Sequence, residues 1–253
     1  MAHNKLCTNC IDESIKELKN INPNIEIKEF DFLENLDWLG NNTNGWPILK
    51  NYLNKDSVVY CVGAGKDISF DEAIWKDYRS NITIIDPTKH AIKWVKQQIF
   101  NKIIEAKLIQ CGLSNKDGDF NFTKFSSGDS FSLVKDINSD LSIKKDGDYF
   151  GEGNVEVKKL STIMKENKNK KINLLKIDIE GSEYGVIDDI INEKIDIDIL
   201  NVEFHGEWIP KEAFNLYKKE DLYNSIYKLH KYGLQLVWSC RSREHTFIKK
   251  ELI

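Results

Sequence analysis

The chain has 253 residues, 41% hydrophobic and 30% charged, which suits one large soluble domain with a substantial core. Its 36 basic and 40 acidic residues leave a net charge of −4, which argues against a general binder of nucleic acid or of anionic membranes. No stretch approaches the ~18 apolar residues of a membrane span, and the opening MAHNKLCTNCIDESIKELKN lacks the apolar core of a signal peptide, so a cytoplasmic location is expected.

Residues 1–56 read as an N-terminal extension packed on the core, with one amphipathic helix at about 11–20 and a polar GNNTNG segment near Trp38 and Trp46. Cys7 and Cys10 form a CxxC, without the second pair a zinc site needs or the preceding strand of a redox motif, and read as a chance pair in a mobile terminus. Residues 57–253 alternate strand-like and helix-like runs. SVVYCV (57–62) is β-branched and apolar, as a buried parallel strand should be. Ser69 and Glu72 have the spacing of a capping box and predict a helix with Phe70, Ala73, Ile74 and Tyr78 on its inner side. NITIID (81–86) predicts a second strand, Thr88 the cap of a helix carrying Ile92, Val95 and Ile99, and AKLIQCGL (106–113) a third strand.

Residues 126–153 form a long insertion rich in Gly, Ser, Asp and Lys, which reads either as a lid over a site or as a surface loop. INLLKIDI (172–179) and IDILNVEF (197–204) predict two more strands around a helix bearing Val186, Ile187 and Ile190. A helix at roughly 211–232 follows, and LQLVWSC with HTFIKK predicts a closing antiparallel hairpin. The whole is an α/β sheet, mostly parallel, whose ligands belong at the carboxyl ends of the strands.

That is where the chemistry gathers. The turn Gly63-Ala64-Gly65-Lys66-Asp67 lacks the third glycine of a dinucleotide fingerprint, because Ile68 stands there. Asp86, followed by Pro87, ends the next strand, where a carboxylate can accept hydrogen bonds from ribose hydroxyls. Ribose recognition without a pyrophosphate turn favours S-adenosylmethionine over NAD. Two strands further on, Asp178 and Glu180 are two apart, as are Glu203 and His205. On continuing strands each pair would share a face, and adjacent strand ends would bring all of them to one mouth.

The blocks DSVVYCVGAGKDISFDEAI, IIDPTKHAIKWV, LLKIDIEGSEYGVI and VEFH occur in the order and spacing of FkbM-type methyltransferases, which the chain resembles over about residues 46–253. The resemblance implies a Rossmann-like class I methyltransferase sheet, S-adenosylmethionine as cofactor, and O-methylation of a hydroxyl on a small molecule or a sugar. It also implies that Gly63 and Gly65, with Ala64 and Asp67 in the same loop, belong to the cofactor turn. It makes Asp86, beside Pro87, the ribose acid, and sets Glu180 near the sulfonium or the substrate, with Asp178 close to the cofactor. By residue type His205 is the expected base, with an ordinary pKa near neutrality, and Asp178, Glu180 and Glu203 its orienting acids. These groups have the chemistry of a divalent-metal site as well, but nothing in their spacing requires one. An acceptor that is neither nucleic acid nor membrane is expected. An NAD-dependent oxidoreductase, a nucleic-acid methyltransferase and a non-catalytic nucleoside-binding protein are the competing readings.

Overall fold

A computed structural model describes residues 8–124, 131–132, 153–206, 217–240 and 243–253. The amino-terminal part contributes α1 (Thr8–Ile21), α2 (Phe32–Asn35), and a hairpin of β1 (Leu36–Leu39) and β2 (Trp46–Leu49) whose turn is the polar GNNTNG segment. The body follows as β3 (Val58–Val62), α3 (Ser69–Tyr78), β4 (Asn81–Ile85), α4 (Lys89–Phe100) and β5 (Lys107–Ile109). A smaller sheet interrupts it: β6 (Gly112–Leu113), β7 (Gly118–Lys124), β8 (Phe131–Ser132) and β9 (Gly153–Lys158). Then come α5 (Leu160–Glu166), β10 (Ile172–Ile177), α6 (Glu183–Asn192), β11 (Ile197–Glu203), α7 (Lys219–Tyr232), β12 (Leu234–Cys240) and β13 (Glu244–Lys249).

The main sheet has seven strands in the order β12-β13-β11-β10-β3-β4-β5. Five are parallel, and the β12–β13 hairpin closes one side antiparallel. The chain runs outward from β3 to β5, then restarts at β10 on the other side of β3. The crevice between β3 and β10 is thus the switch point at which open α/β sheets bind ligands.

The alternation of side chains along each strand builds two cores. Tyr60 and Val62 of β3, with Leu175 and Ile177 of β10, face α5, α6, α7 and Leu18 of α1. Val59 and Cys61, with Leu174, face α3, α4 and the β1–β2 hairpin. The hairpin is locked on through tryptophans: Trp238 of β12 lies edge-on to Trp38 at 5.7 Å and to Trp46 at 6.4 Å between ring centroids. Tyr52 adds a hydrogen bond to the buried Asp198 on β11.

Four expectations need correction. Ser69 and Glu72 form no capping box. Ile68 is the N-cap, and the Ser69 hydroxyl instead accepts the Asn41 amide at 3.1 Å. Thr88 is an N-cap by position, but its hydroxyl donates to Asp86 at 2.6 Å rather than capping the helix. The run 106–113 is two strands, because the chain leaves the main sheet after Ile109 and Gly112 pairs with Val157 of the small sheet. The last helix begins at Lys219, after an extended N-cap at Lys218, later than expected, and residues 211–216 of the expected helix lie outside the described residues. Most of the 126–153 insertion, and Cys7 of the CxxC pair, also lie outside the described residues, while Cys10 falls in the first turn of α1. Among the described residues no helix is long and apolar enough to cross a membrane.

The tryptophan cluster generates a prediction. Trp238 is 1% exposed and Phe100 is 81% exposed. Trp238→Ala is expected to destabilise the fold by about 3–5 kcal/mol, and Phe100→Ala to stay within about 0.5 kcal/mol of the parent, in urea unfolding followed by circular dichroism.

Candidate active site

The two glycines of the turn after β3 have separate jobs. Gly63 (φ +82°) is pressed against β10: a Cβ there would lie 1.8 Å from the Asp178 carbonyl oxygen. Its amide donates to Ile85 at 3.0 Å, and the Asp178 amide donates to Val62 at 3.1 Å. Gly63 is therefore required by packing. Gly65 (φ +52°) would point a Cβ into open space, so its left-handed backbone leaves the turn's outer face free for a ligand. A cleft of about 180 Å³ opens beside it, between the turn, the hairpin residues Thr43–Trp46 and the ends of β10 and β11.

Gly63, Ala64, Gly65, Asp67, Asp178 and Glu203 all line this cleft, whereas Asp86 and Pro87 do not. Asp86 is buried, and its carboxylate is spent on the chain itself. One oxygen accepts the amides of Ala64 and Gly65, at 2.9 and 3.1 Å, and the other accepts the Thr88 amide and hydroxyl, at 2.8 and 2.6 Å. Asp86 thus sets the shape of the glycine turn, and half-buried Pro87 leads from it into α4. Asp67 is tied across the cleft to the hairpin: its carboxylate takes the side-chain amides of Asn41 and Asn44 and the Ser69 amide. Burial alone would raise this carboxyl, but these donors outweigh it and hold it below its ordinary range.

The second part of the site lies at the ends of β10 and β11. The chain does not continue as a strand after Ile177. Glu180 (φ +54°) and Gly181 (φ +102°) bend it into α6, so Asp178 and Glu180 do not share a strand face as the spacing suggested. They still converge, because both approach the ring of His205, which follows β11. Its Nε2 lies 3.3 Å from Glu180, 3.9 Å from Glu203 and 4.0 Å from Asp178. Its Nδ1 lies 2.9 Å from Glu183, the first residue of α6.

Glu183 is 0% exposed and takes the Ile179 and Gly181 amides, each at 3.0 Å, so one carboxylate closes the strand-to-helix turn and orients the imidazole. Burial would push the His205 pKa down, but Glu183, Glu180 and Asp178 together raise it to about 10. The ring is therefore an imidazolium at neutral pH, and to act as a base it would first have to lose that proton.

Two more cations balance the acids. Lys176 donates to the Gly63 carbonyl at 2.7 Å and approaches Asp178 at 3.5 Å, and Arg243 pairs with Glu203. Asp178, Glu203 and His205 offer ligand atoms within 4.8 Å of one another, close enough to hold a metal ion. In this arrangement, however, the ring carries a proton and Glu203 faces Arg243.

Sequence reasoning did not assign Glu183, Arg243 or the Asn41–Asn44 pair. Glu183 carried a signal, since an acid in the first turn of a helix after a glycine can fold back onto free amides. The asparagines and Arg243 meet their partners only through the tertiary fold.

The sequence matches the family described as Methyltransferase FkbM domain over residues 62–236. No curated protein matches it significantly. Among solved structures, it resembles the Methanococcus jannaschii fibrillarin pre-rRNA processing protein at 11% identity, TM-score 0.44, covering 79% of this chain and 69% of that one. It also resembles Aeropyrum pernix fibrillarin with natively bound S-adenosyl-L-methionine, at 9% identity, TM-score 0.39, covering 79% and 68%. A third is M. capricolum TrmK in complex with S-adenosyl-homocysteine, at 7% identity, TM-score 0.38, covering 78% and 64%. At these scores the likeness says nothing about acceptors.

The bonds of Asp86 give a direct expectation. Asp86→Ala leaves buried amides of the glycine turn without an acceptor and is expected to cost about 2–4 kcal/mol. For a chain of this size that is a melting temperature lower by roughly 5–10 °C in the ligand-free protein, measured by differential scanning calorimetry. A residue serving only a ligand would leave that temperature unchanged.

Proposed function

This chain belongs to the FkbM methyltransferase family and is an S-adenosylmethionine-dependent methyltransferase; from that premise we propose that it methylates a hydroxyl of an uncharged small molecule or glycan. The observation that carries the reading is the mouth of carboxylates around one buried imidazolium, Asp178, Glu180, Glu183 and Glu203 about His205.

The residues suit the cofactor. Gly65 gives the turn an open face, and the cleft beside it is floored by acids that complement a cation. The cofactor supplies a methyl group on a positively charged sulfur, already activated for in-line transfer to an oxygen. What the chain must add is position and a place for the acceptor's proton. Asp178 lines the cleft beside the cofactor turn, with Glu180 two residues on beside His205, and these acids supply that place, since a hydroxyl bound there can pass its proton to a carboxylate as the new O–C bond forms and the S–C bond breaks. His205, held by Glu183, keeps its own proton and fixes the position of Glu180. Asp86 acts mainly by holding the Ala64 and Gly65 amides, and a ribose hydroxyl would have to compete with them for its oxygens.

The charge of the mouth also disfavours polyanions. Asp67, Asp178, Glu203 and Glu244 line the cleft against Lys66 and Lys176, so a phosphate-rich acceptor meets repulsion there. A neutral hydroxyl meets none.

Transfer of labelled methyl from S-adenosylmethionine to a panel of neutral glycosides, polyols and phenols, set beside transfer RNA and ribosomal RNA, tests the acceptor class. Alkali-stable label on a neutral hydroxyl compound is expected, and preferential labelling of RNA would overturn the reading. The proton's destination is tested by pH. A carboxylate acceptor gives a kcat that stays level from about pH 6.5 to 9. Were His205 the base, it would have to lose a proton held to about pH 10, and kcat would climb close to tenfold per pH unit across that range. His205→Gln is expected to lower kcat by about 10-fold or more while changing cofactor affinity little.

A further inference from the structure

One polar side chain in the cleft is used by nothing above. Asp71 lies in the first turn of α3, on the buried side of the helix with Phe70 and Ile74. It is 6% exposed and lines the cleft beside Gly63, Gly65 and Lys176, yet its Oδ1 has no hydrogen-bond partner. A buried carboxylate oxygen without a donor is costly, and a helix side facing a core is ordinarily apolar. Its charged and titratable neighbours come from each element around it: the Cys61 thiol from β3, the Lys176 ammonium from β10 and the Asp67 carboxylate from the glycine turn. Lys176 is already directed at the Gly63 carbonyl and toward Asp178. The floor of the cleft therefore holds an anion short of a donor and, beside it, a cation.

We propose that Asp71 receives the α-ammonium group of the amino-acid end of the cofactor, with Lys176 as the counter-charge for the neighbouring carboxylate of that same end. The proposal rests on the reading that S-adenosylmethionine lies along the glycine turn, and it adds the direction in which the cofactor lies. A nucleoside offers only neutral donors, whereas an amino acid offers one cation and one anion a few ångströms apart, which is the pairing that Asp71 and Lys176 complement. Asp86, which grips the turn from the β4 side, does not line this cleft, so the adenosine end extends that way and the amino-acid end occupies the space under the β1–β2 hairpin. Burial raises the Asp71 carboxyl to about 6, so it is ionised in most molecules at neutral pH and loses its charge below that.

The probes are S-adenosylhomocysteine and 5′-methylthioadenosine, which share the adenosine and the sulfur but differ in the amino-acid end. In isothermal titration, Asp71→Asn is expected to raise the Kd for S-adenosylhomocysteine about 10-fold or more and to leave that for 5′-methylthioadenosine within about twofold. An unchanged Kd for S-adenosylhomocysteine overturns the proposal, as does a parallel loss of both ligands in a variant that keeps its melting temperature. The wild-type protein gives a second measurement that needs no variant. Its affinity for S-adenosylhomocysteine should weaken as pH falls from 7 to 5 while that for 5′-methylthioadenosine stays level, and equal pH dependence for the two overturns the proposal. Wild-type protein that binds neither probe overturns the cofactor reading itself, a result distinct from the loss of selectivity between them.

Discussion

The geometry of the site hangs on one buried carboxylate. Glu183 begins α6, yet its side chain turns back to accept the Ile179 and Gly181 amides and also meets the ring of His205. Burying a charge in this way is unfavourable unless both oxygens are hydrogen-bonded and a cation stands close. Both conditions are met here, and meeting them fixes three elements at once. The end of β10 must turn where its amides face Glu183, α6 must start there, and the residue after β11 must present its Nδ1. Glu180 and Asp178 are carried along, because they sit in the same turn. The positions of these acids are thereby tied to the closure of a strand-to-helix corner.

The glycine turn is built on the same principle. Gly63 allows the backbone of β3 to touch that of β10, Lys176 bonds back across the join, and Asp86 gathers the amides of Ala64 and Gly65 from the other side. The turn is thus shaped by contacts with both neighbouring strands. Preorganisation of this kind means that little conformational entropy is lost when a ligand settles against Gly65. The hairpin contributes from above: Asn41 and Asn44 hold Asp67, and the tryptophan contacts hold the hairpin. The amino-terminal residues therefore form a wall of the cleft.

Much of this was legible in the sequence, for physical reasons. Val58–Val62, Asn81–Ile85, Ile172–Ile177 and Ile197–Glu203 are β-branched runs bounded by Gly, Pro or acids, and each is a strand of the main sheet. Their order, with a helix after each crossover, implies the switch point and so the place of the cleft. The convergence of Asp178, Glu180, Glu203 and His205 followed from their position at adjacent strand ends. What failed was local chemistry decided by distant partners. Ser69 and Thr88 look like caps, but Asn41 and Asp86 claim their hydroxyls. Asp86 looks like a ligand's acid, and sequence does not reveal that the amides of its own chain also reach both oxygens. His205 looks like a base by residue type, and only the arrangement of carboxylates shows how firmly its proton is held. Asp71 looks like an ordinary first-turn acid, since sequence does not reveal which side of a helix end its carboxylate faces.

The electrostatics of the mouth then follow from a single requirement. Transfer of a methyl from the sulfonium begins with a cation near the acids and ends with a neutral thioether. Ionised carboxylates favour the charge present at the start, which by itself would hold back its disappearance in the transition state. The imidazolium of His205, with Lys176 and Arg243, offsets that excess, so the field the reacting methyl feels is smaller than the number of acids suggests. Loss of the sulfonium charge is therefore opposed less than the carboxylates alone would oppose it.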